Sequence, residues 1–599
     1  MKLELINTPS EFLTPKEQVL FNRGIPKDKI NHYLNLTDDD INPPEIFGEE
    51  LLSKAADVFL SHLRNDSLIV VIVDCDCDGY TSSAILINYI SDLKGKDWVE
   101  DHVHWYMHTG KQHGLQDCMD WINEINPQLV LIPDAGSNDY EQLKTLHEAG
   151  KDIIIMDHHE IEGEPYPECI LINSQLPQYP NKFLSGAGVT WQFCKYIDKV
   201  TLNNFADWYL DLCATGLDGD MMSLTSPETR RLIFKGLEPD NIHNPFLHGM
   251  WQKNMFKLGE NPTAWGFTFY VVPFVNAITR SGTQEEKELI FKSMLKFKAN
   301  DLIPSTKRGC KGQTETVVEQ AVRTCTNVKN RQGKAETVGM ELVEHLIQDN
   351  NMLDHKVLLF LLEPGQIKSE IRGLVANKIM AKYQRPCCML TKRVDETGRI
   401  TYEGSARGCD KVGVTDFKGI CAKTNAVDYT IGHPGAFGLG LTVHYPGEDE
   451  VDGEALTQFI DSTDEQLKDM SSEPIYQVDY IWDGRGDINP QDIIEIAELA
   501  PYWGKDCEES IIAIQGIEIT KSDITIMASN TLKITLPNGI NIIKFRYTDE
   551  EFNKLYYENS GFIKINAICT CNINNWNGRR YPQLLLQDFD IVNKCAYVF

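Results

Sequence analysis

This chain of 599 residues lacks several features, and each absence excludes a class of protein. Long apolar runs are missing: none approaches the ~18 residues a membrane-spanning helix requires, so no membrane association is expected. The amino terminus, MKLELINTPSEFLTPKEQ, has no basic stretch leading into an apolar core. It does not read as a secretory leader, and a cytoplasmic location is expected. Positive charge is short, with 57 Lys and Arg against 87 Asp and Glu, a net charge of −30. Such a balance argues against coating DNA non-specifically, because phosphate binding is mostly lysine and arginine work. It leaves room for a nucleic-acid enzyme whose cations are local and whose site is loaded with metal ions. Cysteine is plentiful at sixteen but never spaced as CxxC, which excludes a zinc ribbon or a thioredoxin motif. Free thiols in a reducing compartment are expected.

What is present is an alternation of apolar runs and amphipathic stretches. SLIVVIVD, PQLVLIPD (127–134), KDIIIMDHH (151–159) and CILIN (169–173) read as strands. SSAILINYISDL, started by Thr81, Ser82 or Ser83, and NDYEQLKTLHEAG read as the intervening helices. This is the pattern of a parallel sheet covered by helices, in which ligands sit beyond the carboxyl ends of the strands. A second, smaller α/β unit is expected from HKVLLFLLEPG, SEIRGLVANKIMAKYQ and PCCMLTKR, ending at the glycine-rich TIGHPGAFGLGL (430–441). An acidic link, PGEDEVDGE, follows. The last ~125 residues alternate as short strands with an Asn538-Gly539 hairpin signal and read as a small β-barrel. Its Asn574, Asn575 and Trp576 would suit oligonucleotide binding, with Trp576 equally readable as barrel core. The expected divisions are 1–50, 51–240, a helical connector at 241–350, 351–450 and 470–599. Within the connector, Lys287 to Lys334 holds eleven Lys or Arg against four acids, a net of +7. It reads as a solvated connector or as a nucleic-acid path.

The chemistry concentrates where strands end. VIVDCDCDGY (71–80) sets Asp74, Asp76 and Asp78 on alternate positions. If the chain stays extended they share a face, and Cys75 and Cys77 point the other way as packing. Two further strands end in LIPD and IMDHH. Carboxylates this close are tolerable only with a counter-charge. Oxygen donors with one or two histidines favour Mg²⁺ or Mn²⁺. Two such ions ~3.5–4 Å apart form the clamp used in phosphoester hydrolysis. His102, His104, His108 and His113 are spaced too loosely for a metal motif and read as surface-loop residues.

DCDCDG, LIPDAG, Asp157-His158-His159 and DLCATGLDGDMMSL (211–224) resemble the successive motifs of the DHH phosphoesterases. PFVNAITRSG (273–282), SGAGVTWQF (185–193), EIRGLVANKI, GSARG (404–408) and IGHPGAFG (431–438) narrow the resemblance to the RecJ single-strand exonucleases with their DHH-associated domain. The order matches across roughly residues 50 to 445. The resemblance implies a DHH parallel-sheet domain and a smaller DHHA1 α/β domain joined by helices, with a C-terminal OB-like barrel. It implies two ions, Mn²⁺ or Mg²⁺. Asp74 and Asp76 would serve one; Asp78, His158 and Asp220 the other; and Asp134 would bridge. His159 would stand beside the scissile phosphate and Asp157 would orient the histidines. Asn276 and Arg280 would hold the strand near the cut, and Ser405, Arg407 and His433 would take phosphates of the incoming 5′ end. An extra acid at Asp218, an Ile431-Gly432 pair where the family has two glycines and a loose HTGKQHGLQ loop (108–116) depart from the family pattern. The implied activity is 5′-to-3′ hydrolysis of single-stranded DNA in a cleft between the two α/β domains that excludes duplex. The rivals are a phosphodiesterase for short oligonucleotides or cyclic dinucleotides, and a non-catalytic DNA-binding replication scaffold. The charge also fits recruitment by a replication or repair protein, for which no docking site is readable.

Overall fold

A computed structural model describes residues 1–110, 113–444, 454–486, 488–559 and 561–596. The acidic link at 446–453 and two residues of the HTGKQHGLQ loop lie outside the described residues. The chain falls into two compact units, residues 12–329 with 495–509, and residues 1–11 with 330–494 and 510–599.

In the first unit, apolar β-branched runs buried on both faces form a five-stranded, wholly parallel sheet. Its order in space is Val103–Met107, Ile69–Val73, Leu129–Pro133, Asp152–Asp157, Ile170–Asn173. Strand Val103–Met107 was not expected. It is an edge strand in which only Val103 and Met107 are buried, so it lacks a continuous apolar run. The first strand in sequence has the second on one side and the third on the other. That is the reversal point at which open α/β sheets bind their ligands. Asp74 and Asp134 follow the two strands that flank it. The helix after Val73 runs Cys77–Lys94 with Asp76 as its N-cap, five residues earlier than the first of its expected starters. Thr81, Ser82 and Ser83 are buried inside it instead. The expected connector consists of helices Pro245–Lys253, Ala264–Tyr270, Val272–Ser281 and Gln284–Met294, with the 33-residue helix Val317–Asp349 running out of the unit. Much of its positive charge is matched within the unit. Lys292 pairs with Glu288, Lys296 with Asp92, Lys298 with Glu100, and Lys307 and Arg323 with Glu315. Lys287 is buried.

Residues 495–509 come from within the expected barrel region yet pack in the first unit. Leu224 N–H donates to the Lys505 carbonyl at 3.0 Å. Arg230, 1% exposed, has its guanidinium carbon 3.5 Å from the Tyr33 ring centroid and 4.6 Å from that of Tyr502. Its Nε and Nη1 find no hydrogen-bond partner, so the aromatic faces are the main compensation for its charge.

In the second unit a five-stranded sheet runs Tyr429–His433, Ala436–His444, Ile400–Arg407, Cys387–Val394, Leu358–Leu362, with helix Ser369–Tyr383 against it. A seven-stranded mixed sheet follows, its long hairpin made by Gly561–Trp576 and Arg579–Ala596. The amino-terminal strand Lys2–Leu5 pairs in parallel with Ile475–Val478 of the same unit. No helix among the described residues is long and apolar enough to cross a membrane.

Candidate active site

The three acids of DCDCDG do not share a strand face. Asp74 ends the strand, Asp76 caps the helix by accepting from Gly79 N–H at 3.0 Å, and Asp78 lies in its first turn. A strand-to-helix turn, not an extended pleat, gathers them. Asp134 reaches them from the neighbouring strand in the left-handed conformation, φ 66°, unusual for a residue with a Cβ and a frequent mark of a functional position. Its own N–H donates to the Met156 carbonyl at 2.8 Å.

Ligand-type atoms fall into three groups that share Asp134; besides Asp134 with Asp157, His158 and His159 there are two more. Asp74, Asp76 and Asp134 make one; Asp78, Asp134, His158 and Asp220 make the other. His158 Nε2 lies 3.2 Å from Asp134 Oδ1 and 3.1 Å from Asp220 Oδ2. Asp218 joins none of these groups. It accepts from Thr268 Oγ1 at 2.8 Å, and burial pushes its carboxyl up to about 8. The helix Leu210–Gly219 therefore delivers Asp220, its C-cap, to the cluster and turns Asp218 away.

Asp78 is held by the start of the helix Gly186–Thr201. Ser185 Oγ donates at 2.7 Å, Gly186 N–H at 2.6 Å and Ala187 N–H at 3.1 Å. Three of its roughly four lone-pair sites are thus used, leaving one for an ion. This is what SGAGVTWQF contributes: a helix N-terminus that fixes a carboxylate. Its glycine is a steric requirement, since a Cβ on Gly186 would stand 2.4 Å from Asp134 Cβ and 2.6 Å from its Cα.

The electrostatics favour a cation. Burial, then the charges of Asp220, Asp74 and Asp78, push Asp76 up to about 7. Burial and four neighbouring carboxylates hold Asp134 well above the usual range. Burial opposes charge on His158, but its close contact with the Asp220 carboxylate and the Asp78 charge raise it to about 9. Asp74 Oδ1, Asp134 Oδ1 and His158 Nε2 are buried and make no hydrogen bond. Orphaned oxygens of this kind need a partner, and an oxygen-rich set with one imidazole suits a hard or borderline divalent ion. The residues fit the metals expected of them.

Asp157 is the organising anion beside this cluster. Its Oδ1 accepts from the backbone N–H of His158 at 2.7 Å and of His159 at 3.2 Å, and from His159 Nδ1 at 2.8 Å. Its Oδ2 accepts from Ser137 N–H at 3.1 Å. Burial alone would raise it; the His159 and Ser137 contacts bring it well below the ordinary carboxylate range. His159 is thereby fixed with Nδ1–H inward and Nε2 outward, its side chain 48% exposed.

Of the four loosely spaced histidines only His113 is an exposed loop residue; His102 ends the helix Lys96–His102 and His104 lies on the edge strand. His108 is buried, its Nε2 3.9 Å from Asp74 Oδ1. His113 Nδ1 lies 2.6 Å from Asp74 Oδ2. Their spacing carried no motif, and tertiary folding of the loop after an unrecognised edge strand puts them here. Cys77 packs as expected, fully buried; Cys75 Sγ lies 3.6 Å from His113 Nε2.

Asn276 and Arg280 stand one turn apart on Val272–Ser281, Arg280 exposed. The remaining predicted residues lie in the second unit. Arg407 pairs across the sheet with Ala436, which pairs with His433, so both flank a small residue on one face. Ser405 is two positions along from Arg407 on the same face. A Cβ on Gly373, in EIRGLVANKI, would stand 2.6 Å from Arg407 Nη2. The sheet and the first turns of helix Ser369–Tyr383 therefore bring Ser405, Arg407 and His433 into one neighbourhood. Trp576 is 65% exposed and is not core. It sits at the tip of the long hairpin beside exposed Arg579 and Arg580, with the half-exposed Tyr581 next.

The DHH family N-terminal domain model matches residues 68–217, and the RecJ OB domain model matches residues 485–588. The chain is 31% identical over 601 residues to YorK, an SPbeta prophage protein of Bacillus subtilis named as a single-strand DNA-specific exonuclease. The alignment covers 99% of this chain and 98% of that one. It is 25% identical over 577 residues to the single-stranded-DNA-specific exonuclease RecJ of the same organism, covering 93% of this chain and 65% of that one. In fold it is similar to RecJ of Thermus thermophilus in complex with Mn²⁺, with a TM-score of 0.69 at 17% identity, covering 99% and 80% of the two chains.

Proposed function

The chain belongs to the RecJ-type single-strand-DNA-specific exonucleases, and from that premise we propose that it hydrolyses single-stranded DNA from the 5′ end, releasing 5′ mononucleotides in a reaction that needs two divalent ions. The observation that carries this reading is the meeting of two carboxylate-rich ligand groups at Asp134, with buried oxygens that nothing else satisfies.

Divalent ions held there supply charge neutralisation at the attacked phosphate and a nucleophile at neutral pH. Asp74, Asp76 and Asp134 would hold one ion, and Asp78, His158 and Asp220, with Asp134, the other. His159 presents Nε2 to the phosphate. Its Nδ1 proton is held on Asp157, so the ring keeps one tautomer and stabilises charge or gives a proton as the leaving oxygen departs. Asn276 and Arg280 hold the strand beside the cut. Arg407, with Ser405 and His433, recognises phosphate at the 5′ side, where a planar guanidinium can bind bidentately. Trp576, exposed beside arginines, is a candidate to stack a base of a bound strand.

The reading is tested with a long single strand labelled at its 5′ end in Mn²⁺, beside its 3′-labelled twin, its duplex and a dinucleotide. Early labelled mononucleotide from the 5′-labelled strand alone is the expected result. Early release from the 3′ label overturns the polarity, and cleavage of the dinucleotide alone transfers the protein to the short-substrate phosphodiesterases. Trp576→Ala is expected to weaken affinity for a long strand about tenfold, the lower part of what one stacked base contributes, while leaving dinucleotide turnover unchanged. Fluorescence anisotropy of a labelled oligonucleotide reads this directly.

A further inference from the structure

We propose that Cys75, His113 and Asp74 form a separate site for a thiophilic divalent cation of the Zn²⁺ or Co²⁺ class, sharing Asp74 with the hydrolytic cluster. Ligand atoms of the three residues lie within 4.8 Å of one another. The geometry is close to what a tetrahedral ion requires. Metal–donor bonds of about 2.0–2.3 Å place neighbouring donors roughly 3.3–3.7 Å apart, and Cys75 Sγ stands 3.6 Å from His113 Nε2. His113 Nδ1 meets Asp74 Oδ2 at 2.6 Å, a contact that an ion would replace or that would fix the ring's tautomer toward it. Cys75 is buried, but the His113 side chain is 56% exposed, which gives an ion a way in from solvent.

The donor set decides which ions enter. One sulfur and one nitrogen beside one oxygen suit Zn²⁺ and Co²⁺; Mg²⁺ does not compete for a thiolate. Binding forms an S–metal bond and releases the thiol proton to solvent. Because Asp74 belongs to both donor sets, an ion on Cys75 draws a carboxylate from the Asp74–Asp76–Asp134 group. Thiophilic ions are then inhibitors of the Mn²⁺-dependent reaction, and the sensitivity resides in a cysteine that hydrolysis itself does not use.

This inference builds on the metal-site reading but is tested apart from it. The full-length protein is titrated with Co²⁺ and followed in the near ultraviolet, where a thiolate–Co²⁺ charge-transfer band appears. The band is expected in the parent and in Cys77→Ser, and absent in Cys75→Ser. Its absence from the parent, or its survival in Cys75→Ser, overturns the proposal whatever the nuclease assay shows. Should Cys75→Ser fold poorly, His113→Gln on the exposed loop is expected to weaken Co²⁺ binding at the band at least about tenfold; unchanged affinity overturns the site. In the Mn²⁺-driven assay, half-inhibition by Zn²⁺ is expected to move at least about tenfold higher in Cys75→Ser. Loss of nuclease activity with the band intact would count against the exonuclease reading alone.

Discussion

An Asp134→Asn enzyme is expected to lose at least about a thousandfold in turnover and yet, stripped of metal, to melt higher than its parent. Asp134 is the one residue shared by the two proposed ion sites, so the substitution weakens both at once. Loss of a preorganised charged contact at a reacting centre is felt on that scale. The stability gain has the opposite origin. Without ions, Asp134 is a buried carboxylate among Asp74, Asp76, Asp78 and Asp220, and burial and repulsion both disfavour its charge. Asparagine keeps the shape and removes the repulsion. In the parent, Mn²⁺ is expected to raise the melting temperature by mass action on the folded state; in Asp134→Asn that rise is expected to shrink or vanish. Calorimetry with and without Mn²⁺, beside the nuclease assay, checks all three. A variant with full turnover would remove Asp134 from the mechanism. One that melts lower without metal would mean that the carboxylate is structural.

The second large effect is steric. Gly186→Ala is expected to cost about 3 kcal/mol or more, the upper end of what overpacking a close-packed site produces. The added Cβ would meet Asp134 Cβ at 2.4 Å and Cα at 2.6 Å, and backbone cannot swing aside as a side-chain tip can. To relieve it, the helix Gly186–Thr201 must retreat, and with it the N–H groups that hold Asp78. Stability and Mn²⁺ affinity are therefore expected to fall together. Ser185→Ala removes only one hydrogen bond to Asp78 and is expected to fall by less. A urea midpoint and Mn²⁺ titration on both variants separate the cases. A Gly186→Ala protein as stable as the parent would show that the approach to Asp134 is looser than described.

Much of the candidate metal site was legible because strand ends are where apolar runs stop, and acids at Asp74, Asp134 and Asp157 stand out against them. The parallel sheet followed from the same runs. What was not legible depended on chain reversal. The acids of DCDCDG alternate as strand residues would, yet Asp76 stops the strand by accepting the N–H of Gly79 and starting a helix. Strand Val103–Met107 hides because an edge position lets His104, Trp105 and Tyr106 stay partly exposed. Once that strand is missed, His108 and His113 lose their relation to Asp74, since nothing local in HTGKQHGLQ says which way the loop folds. Asp218 and Asp220 could not be ranked either, because two residues at a helix end point about 200° apart and only the packing of that helix decides which meets His158.

The return of residues 495–509 to the first unit has a consequence for anyone who would take the protein apart. The sequence invites a cut ahead of the C-terminal strands to isolate the nuclease portion, but such a cut removes a wall of that portion. Tyr502 would no longer cover the Arg230 guanidinium, and the Leu224 N–H would lose the Lys505 carbonyl. Leu224 lies four residues beyond Asp220, so the loss would fall on the segment that carries a candidate metal ligand. A fragment ending near residue 480 would then be soft at its candidate metal site for reasons unrelated to DNA binding, and its weak activity would be misread as a role for the barrel in catalysis.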